Sequence, residues 1–379
     1  MKNFGFYDIT PLVDTDCDYY IGIGERSNGK SFSVKEIILN GIHTKKVNIS
    51  GYIDSGYQIQ AVILRRWNED FKGLNGANYF DDLPHNELRG NLIEKWTKGK
   101  WTDIYYYSQR WYLCKYENNE RIVDETPFCY ALSITSNEHF KGIQFPKVRI
   151  ILFDEFLTNG LYVPDEFIKF QNTLSTIIRY RDNVKIFMMA NTIDKYNNPY
   201  FTEMGLNNIR KMKKGDIDIY TYGESSLRVA VNFTDSPIVK KKSNKYFAFN
   251  NPKLNMIKNG AWDIGSYPHL PHKYKPNEVI YVYYVCYQDT ILQCNIILSD
   301  NDTFTFIHRK TTPIKDDESN IIYQQDYDSR PNYKRKIIYA NSNIEKKIVW
   351  YYKNEKVFYQ DNECGEIMRA YIEWCRNSE

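Results

Sequence analysis

The sequence predicts a mostly parallel α/β domain followed by a smaller α+β unit. Three observations carry that expectation. Apolar strands alternate with helix-spaced stretches through the first half, and a glycine loop joins the first such strand to the first such helix. After about residue 277 the pattern changes to closely spaced antiparallel strands with polar turns. At 379 residues the chain is long enough for two domains and a generous core.

The glycine loop organises the rest. Tyr19 to Ile23 reads as a buried strand, and Phe32, Val34, Ile37 and Ile38 fall at helical spacing before the stop signal Asn40-Gly41. Between them Gly24-Glu25-Arg26-Ser27-Asn28-Gly29-Lys30-Ser31 fits G-x-x-x-x-G-K-[ST], the phosphate-binding loop. The glycines let successive N–H groups turn inward around a phosphate, and the next helix meets the anion with its positive end. Lys30 is placed to reach the β- and γ-phosphates, and the Ser31 hydroxyl to ligand Mg²⁺. A glycine turn that only caps a helix is the alternative, but a strand before and a helix after are the context the motif requires. This is a nucleotide site.

The second strand, Gln58 to Leu64, runs into Arg65-Arg66-Trp67. Ligands gather at the carboxyl ends of strands in α/β sheets, so this pair is expected near the site or a neighbouring subunit. A solvated basic corner is the equal alternative. Residues 76–98 read as helical in part, and Thr102 to about Ser133 as a meander of short strands. The apolar strand from Val148 ends in Asp154-Glu155. Strands often finish in acidic residues, but downstream of a phosphate loop the pair is the expected second half of a hydrolase site. Asp154 would hold Mg²⁺ and Glu155 would orient or deprotonate the attacking water. As adjacent strand residues they would point to opposite faces, which would separate the two roles.

Phe167, Phe170, Leu174, Ile177 and Ile178 mark a helix over 164–178 that leads into Arg179-Tyr180-Arg181-Asp182. The strand Val184 to Ala190 closes on Asn191, either a sensor bridging the water, the γ-phosphate and Glu155, or an ordinary turn residue. Cleavage of a γ-phosphoryl group builds charge that a guanidinium stabilises. Arg26, inside the loop, could supply it within its own subunit. Arg179 and Arg181 could project into the next subunit of a ring, or else pair with Asp182 and solvent.

The formal charge of +3 neither demands nor excludes nucleic acid, so local patches must decide. Basic segments occur at Arg210–Lys214 and Lys240–Lys245. Their Lys213, Lys214, Lys240, Lys241 and Lys242 either track DNA phosphates or form a solvated surface. The expected division is an ATPase-type domain over 1–235, a linker or small subdomain over 236–276, and a second domain over 277–379. A final amphipathic helix there buries Ile367, Ala370, Tyr371 and Trp374. The cysteines, Cys17, Cys114, Cys129, Cys286, Cys294, Cys364 and Cys375, are odd in number and form no C-x-x-C pair. They read as reduced thiols rather than a disulfide framework or zinc site. His269 and His272 lack nearby metal-binding partners. The N-terminus lacks the order of a signal peptide, and the apolar runs are too short to cross a bilayer, so a cytosolic protein is expected.

Taken together, these residues resemble the DNA-packaging ATPases, or encapsidation proteins, of small podophages of the Picovirinae type. The carriers are the Gly24–Ser31 loop with its internal Arg26, Leu64-Arg65-Arg66 before an aromatic, Phe153-Asp154-Glu155-Phe156, Arg179-x-Arg181, and Asn191 followed by Asn198-Pro199-Tyr200-Phe201. They stand in the family's order over about residues 20–201. The loop and the acidic strand are general to nucleotide hydrolases, whereas the last two pieces narrow the match. The resemblance implies an ASCE P-loop ATPase, akin to the FtsK and HerA motors and large terminases, using ATP and Mg²⁺. It implies a pentameric ring at the portal of a prohead in the host cytoplasm, driving double-stranded DNA inward, with a packaging RNA as a further possible partner. Carried over, Lys30 and Ser31 bind phosphate and Mg²⁺, Asp154 and Glu155 form the Walker B pair, and Arg179 is the trans-acting finger ahead of Arg181. The second domain would have an RNase H-like fold without nuclease carboxylates. Ile280 to Tyr287 carries no Asp, although Asp300, Asp302, Asp326 and Asp328 lie nearby in sequence. Two other readings compete. A nucleoside or small-molecule kinase is disfavoured by the lack of an arginine-rich lid and by the Glu beside the Walker B Asp. A nucleotide-gated scaffold is the third.

Overall fold

A computed structural model describes residues 6–158, 162–192, 195–196, 198–235, 265–270, 273–299, 302–314 and 319–377. Lys240, Lys241, Lys242, most of the expected linker, His272 and Asp300 lie outside the described residues. The chain divides into two compact units, Met1–Asp263 and Ile264–Glu379.

In the first unit the strands are β1 (Tyr19–Gly24), β2 (Ile42–His43), β3 (Asn48–Ile49), β4 (Gln60–Arg65), β5 (Asp103–Tyr107) and β6 (Arg110–Glu117). They continue with β7 (Glu120–Val123), β8 (Cys129–Ser133), β9 (Val148–Asp154), β10 (Lys185–Asn191), β11 (Ile217–Thr221) and β12 (Arg228–Phe233). One mixed sheet has the order β11-β12-β1-β10-β9-β4-β8-β6-β5, with β7 also on β6. The run from β12 to β8 is parallel, as the strand–helix alternation implied. The meander adds antiparallel strands at one edge, and β11 does so at the other. Parallel strands covered on both faces need unbroken apolar runs, and β1 is buried along its whole length.

Strand register brings the site together. Gly24 of β1 pairs with Asn191 of β10, Met189 of β10 with Asp154 of β9, and Leu64 of β4 with Phe153 of β9. The carboxyl ends of four parallel strands therefore finish side by side. The helix Lys30–Asn40 packs Val34, Ile37 and Ile38 into the core beside β1. The helix Glu166–Ile178 buries Phe170, Leu174 and Ile177, each worth roughly 1.5–3 kcal/mol of burial.

One expectation is corrected at the end of β9. The strand stops at Asp154, and Glu155 turns into the left-handed region at φ 57° while its N–H donates to the Met189 carbonyl at 2.7 Å. Because the chain turns there, the two carboxylates are not sent to opposite faces, and both reach Arg65 and the same cavity.

The second unit holds β13 (Val279–Tyr287), β14 (Thr290–Ser299), β15 (Asp302–Arg309), β16 (Ile322–Gln324), β17 (Tyr333–Lys334) and β18 (Val357–Tyr359). Their order is β17-β16-β13-β14-β15-β18, antiparallel across β13–β15 and parallel at both flanks. The helix Asn343–Lys353 begins with a capping box between Ser342 and Glu345. The helix Asn362–Asn377 buries Ile367, Ala370 and Tyr371, but Trp374 is only partly covered and Cys375 takes the inner position. Asp302 pairs with Lys356, and Asp328 with Arg330 at 2.8 Å, so each of these carboxylates already faces a cation. Among the described residues no helix is long and apolar enough to cross a membrane.

Candidate nucleotide site

The loop after β1 has the backbone that its glycines permit. Gly29 sits at φ 96°, a conformation that a side chain would strain. Gly24 is needed for close approach, since a Cβ there would lie 1.9 Å from Thr234 Oγ1. That hydroxyl instead accepts the Asn28 side-chain amide at 2.8 Å, which ties the loop to the end of β12. Tyr7 adds a second tie, its N–H donating to the Asn28 carbonyl at 2.8 Å.

Lys30 is buried, and its ammonium donates to the Glu25 carbonyl at 2.6 Å, Asn28 Oδ1 at 3.1 Å and Asn191 Oδ1 at 3.4 Å. Ser31 Oγ donates to Asp154 Oδ1 at 2.6 Å, joining the phosphate loop to the acidic strand end. The other Asp154 oxygen accepts Tyr79 Oη at 2.7 Å. Burial, then the adjacent Asp154 charge, pushes the Tyr79 phenol well above its ordinary range, so it remains a donor. Lys35 steadies that residue through the Tyr79 carbonyl, while pairing with Asp82 at 3.0 Å.

Arg65 spans the two carboxylates, 2.5 Å from Glu155 Oε2 and 3.4 Å from Asp154 Oδ2. Burial opposes its charge, but the carboxylates, Asp154 foremost, hold its pKa above the ordinary value. Arg66 turns the other way. It grips the buried Glu166 bidentately, 2.8 Å on each arm, and donates to the Phe156 carbonyl at 2.7 Å. Glu166 also accepts Tyr200 Oη at 2.6 Å. Asn198 caps the short helix that carries Tyr200 by accepting the Phe201 N–H at 3.0 Å. Tyr200 packs edge-on against Phe153 and Phe156. Three of the separate motif pieces thus meet in one buried cluster behind the acidic turn.

A cavity of about 880 Å³ lies over these groups, lined among others by Phe6, Arg26, Lys30, Asp154, Glu155 and Asn191. Arg26 is exposed at its rim. Neither Arg179 nor Arg181 lines it. Arg181 donates to the carbonyls of Ile177, Ile178, Pro146 and Val148, at the opposite end of β9 from Asp154. Burial and the nearby Arg149 charge lower its pKa. Arg179 caps its helix at φ 54° and donates to the Ile143 carbonyl at 3.2 Å from an exposed position. Lys213 is exposed, whereas Lys214 pairs with Glu25 of the phosphate loop. The sequence pointed only loosely to Arg65 and missed Tyr79 and Glu166. Tyr79 lies in a turn with no periodic signal, and Glu166 looks like an ordinary first-turn acid.

With this geometry in place, the known relatives are informative. Residues 114–242, which include Asp154, Glu155, Arg179, Asn191 and Tyr200, match the family described as Podovirus DNA encapsidation protein (Gp16). The chain is similar to the podophage encapsidation proteins. It is 26% identical over 261 residues to the DNA packaging protein of Bacillus phage B103, covering 60% of this chain and 68% of that one. Against the DNA packaging protein of Bacillus phage phi29 the identity is 24% over 199 residues, 52% of this chain and 49% of the relative. The solved bacteriophage phi29 packaging motor assembly aligns over 97% of this chain and 99% of that chain, with TM-score 0.51 and 16% identity, a likeness of fold. The resemblance read from the sequence therefore holds.

Proposed function

We propose that this chain is the ATP-hydrolysing motor that moves double-stranded DNA into a phage prohead. The observation that carries the enzymatic half is the 2.6 Å contact between Ser31 and Asp154 at the foot of a phosphate-loop cavity. The strand order β12-β1-β10-β9-β4 supports an ASCE assignment, because β10 separates the loop strand from the acidic strand. That interposed strand brings Asn191 beside Lys30. In the second unit the order β15-β14-β13-β16-β17 supports an RNase H-like fold, and the ion-paired Asp302 and Asp328 favour a docking role over nuclease chemistry.

The residues suit Mg·ATP. The Glu25, Asn28 and Asn191 oxygens that accept from the Lys30 ammonium are neutral and would yield to a γ-phosphate, and Ser31 and Asp154 offer the hard oxygen ligands that Mg²⁺ takes. Held by Ser31 and Asp154, Mg²⁺ would supply positive charge against the phosphate negative charge. Lys30 then holds the γ-phosphate, Asn191 faces it from β10, and Tyr79 keeps Asp154 in its orientation. Glu155 prepares the attacking water once Arg65 yields its carboxylate. An exchange between Arg65-bound and water-bound Glu155 gives hydrolysis a gate.

Arg26 is the cis candidate for stabilising developing charge. Arg179 is the better trans candidate, because the Arg181 guanidinium is committed to carbonyls of its own chain. β9 has seven residues and runs roughly 20 Å from the Arg181 end to Asp154, so an arginine at its start serves a neighbour's nucleotide rather than its own. A closed ring, pentameric by likeness to the family, is the assembly that this requires. The prohead portal, and a packaging RNA where one is used, are the remaining partners in the host cytoplasm. Lys213 stays a candidate for DNA contact. The test is phosphate release with Mg²⁺ and duplex DNA. Wild type should turn over, while Glu155→Gln should bind ATP, hydrolyse at least about a hundredfold more slowly, and poison mixed assemblies. Turnover that falls only in proportion to the mutant fraction would reject a coordinated ring, and full activity of pure Glu155→Gln would reject its role.

A further inference from the structure

A carboxylate in a phosphate-binding loop is an electrostatic liability, and this loop has one. Glu25 follows directly on Gly24, and its side chain is only 10% exposed. Its carbonyl accepts the Lys30 ammonium at 2.6 Å. One carboxylate oxygen is buried without a hydrogen-bond partner, and the other is bound by Lys214. Lys214 belongs to the turn before β11, where the Gly215 N–H donates to the Phe233 carbonyl at 2.7 Å and the Lys213 N–H to Asp216 Oδ2 at 2.7 Å. The turn is thereby fixed against the end of β12, with its lysine aimed at the loop.

We propose that Lys214 is a positioning residue of the nucleotide site rather than a DNA contact. It neutralises Glu25 and holds that carboxylate away from incoming phosphates. Without it, the buried Glu25 carboxylate loses its cation, a partly exposed lysine, within the loop that would hold a polyanion, and stranding a buried charge is the costly change. This rests on the nucleotide reading of the site. It reassigns one lysine of a basic segment whose composition suggests a polyanion contact.

The experiment is binding of a fluorescent ATP analogue to the full-length chain, with duplex-DNA binding measured in parallel at two salt concentrations. Lys214→Met should weaken nucleotide binding by about tenfold or more, raising KM for ATP with little change in kcat. Lys214→Arg should recover most of the affinity, and Glu25→Gln combined with Lys214→Met should recover it too, since no charge is then left to neutralise. DNA affinity and its salt dependence should not move. Unchanged nucleotide binding in Lys214→Met, or a loss that Glu25→Gln does not restore, would overturn the assignment. Weakened DNA binding with intact nucleotide binding would return Lys214 to the DNA path. If the wild-type chain binds no nucleotide at all, the reading of the whole site fails instead.

Discussion

Replacing Arg66 with Met should destabilise the first unit far more than loss of a surface ion pair. The Glu166 side chain is 0% exposed and Arg66 7%, so the variant strands a carboxylate in the interior. Breaking a buried pair this way costs about 3–5 kcal/mol. Two donors remain on Glu166, Tyr200 Oη at 2.6 Å and the Val163 N–H at 2.8 Å, which holds the loss toward the lower end. The Phe156 carbonyl loses its 2.7 Å donor as well, for about 1 kcal/mol more. The expected loss is about 4 kcal/mol. Urea unfolding of the full chain, followed by tryptophan fluorescence and far-ultraviolet circular dichroism, reads it as a shift in midpoint. Adding Glu166→Gln removes the stranded charge and should restore at least half of the loss. A single-variant loss under about 1 kcal/mol, the range of exposed bridges, would mean that the pair is hydrated and that the cluster behind the acidic turn does not hold it.

Two further outcomes follow from the same geometry. Tyr79→Phe keeps the ring against Trp111 and Phe80 but deletes the donor to Asp154, so Mg²⁺-dependent ATP binding should weaken about tenfold while binding without Mg²⁺ stays unchanged. Equal affinities with Mg²⁺ would show that Asp154 needs no such support. Burial raises the Cys286 thiol from an ordinary value of 9.0 to about 11, so alkylation of the native chain should be slow at pH 8 and accelerate only near pH 11. The sign of its stability contribution follows. The unfolded thiol ionises first, so the contribution is complete below pH 9 and is lost as pH rises toward 11. Fast labelling at pH 8 would place this thiol in water.

The parts legible in the sequence are those set by local chemistry. The loop needs glycines at Gly24 and Gly29 whatever surrounds it, and helical spacing of apolar residues marks Glu166–Ile178 without reference to any partner. Parallel order at the sheet centre follows from strands alternating with crossover helices. What stayed hidden depends on register and on contacts distant in sequence. Glu155 reads as one more strand residue because nothing local announces the left-handed turn that its hydrogen bond to β10 fixes. Tyr79 reaches Asp154 across 75 positions, and no pattern within either segment encodes that meeting.

Arg65 and Arg66 make the same point most sharply. By composition they are interchangeable, and as neighbours where β4 ends they take different partners. Which one meets Asp154 and Glu155 is decided by pairing Leu64 with Phe153, which sets Arg65 beside Asp154 and leaves Arg66 to Glu166. A slip of β4 by one residue would put either Arg66 or Leu64 in Arg65's place, stranding Glu166 opposite Trp67 in the first case and leaving Glu155 without its cation in the second. Arg66 and Glu166 therefore do more than fill a core. By making the slip that strands Glu166 costly they favour Arg65 as the arginine beside Asp154 and Glu155. The buried Arg66–Glu166 pair and the Arg65 clasp on Asp154 and Glu155 are two consequences of one strand alignment.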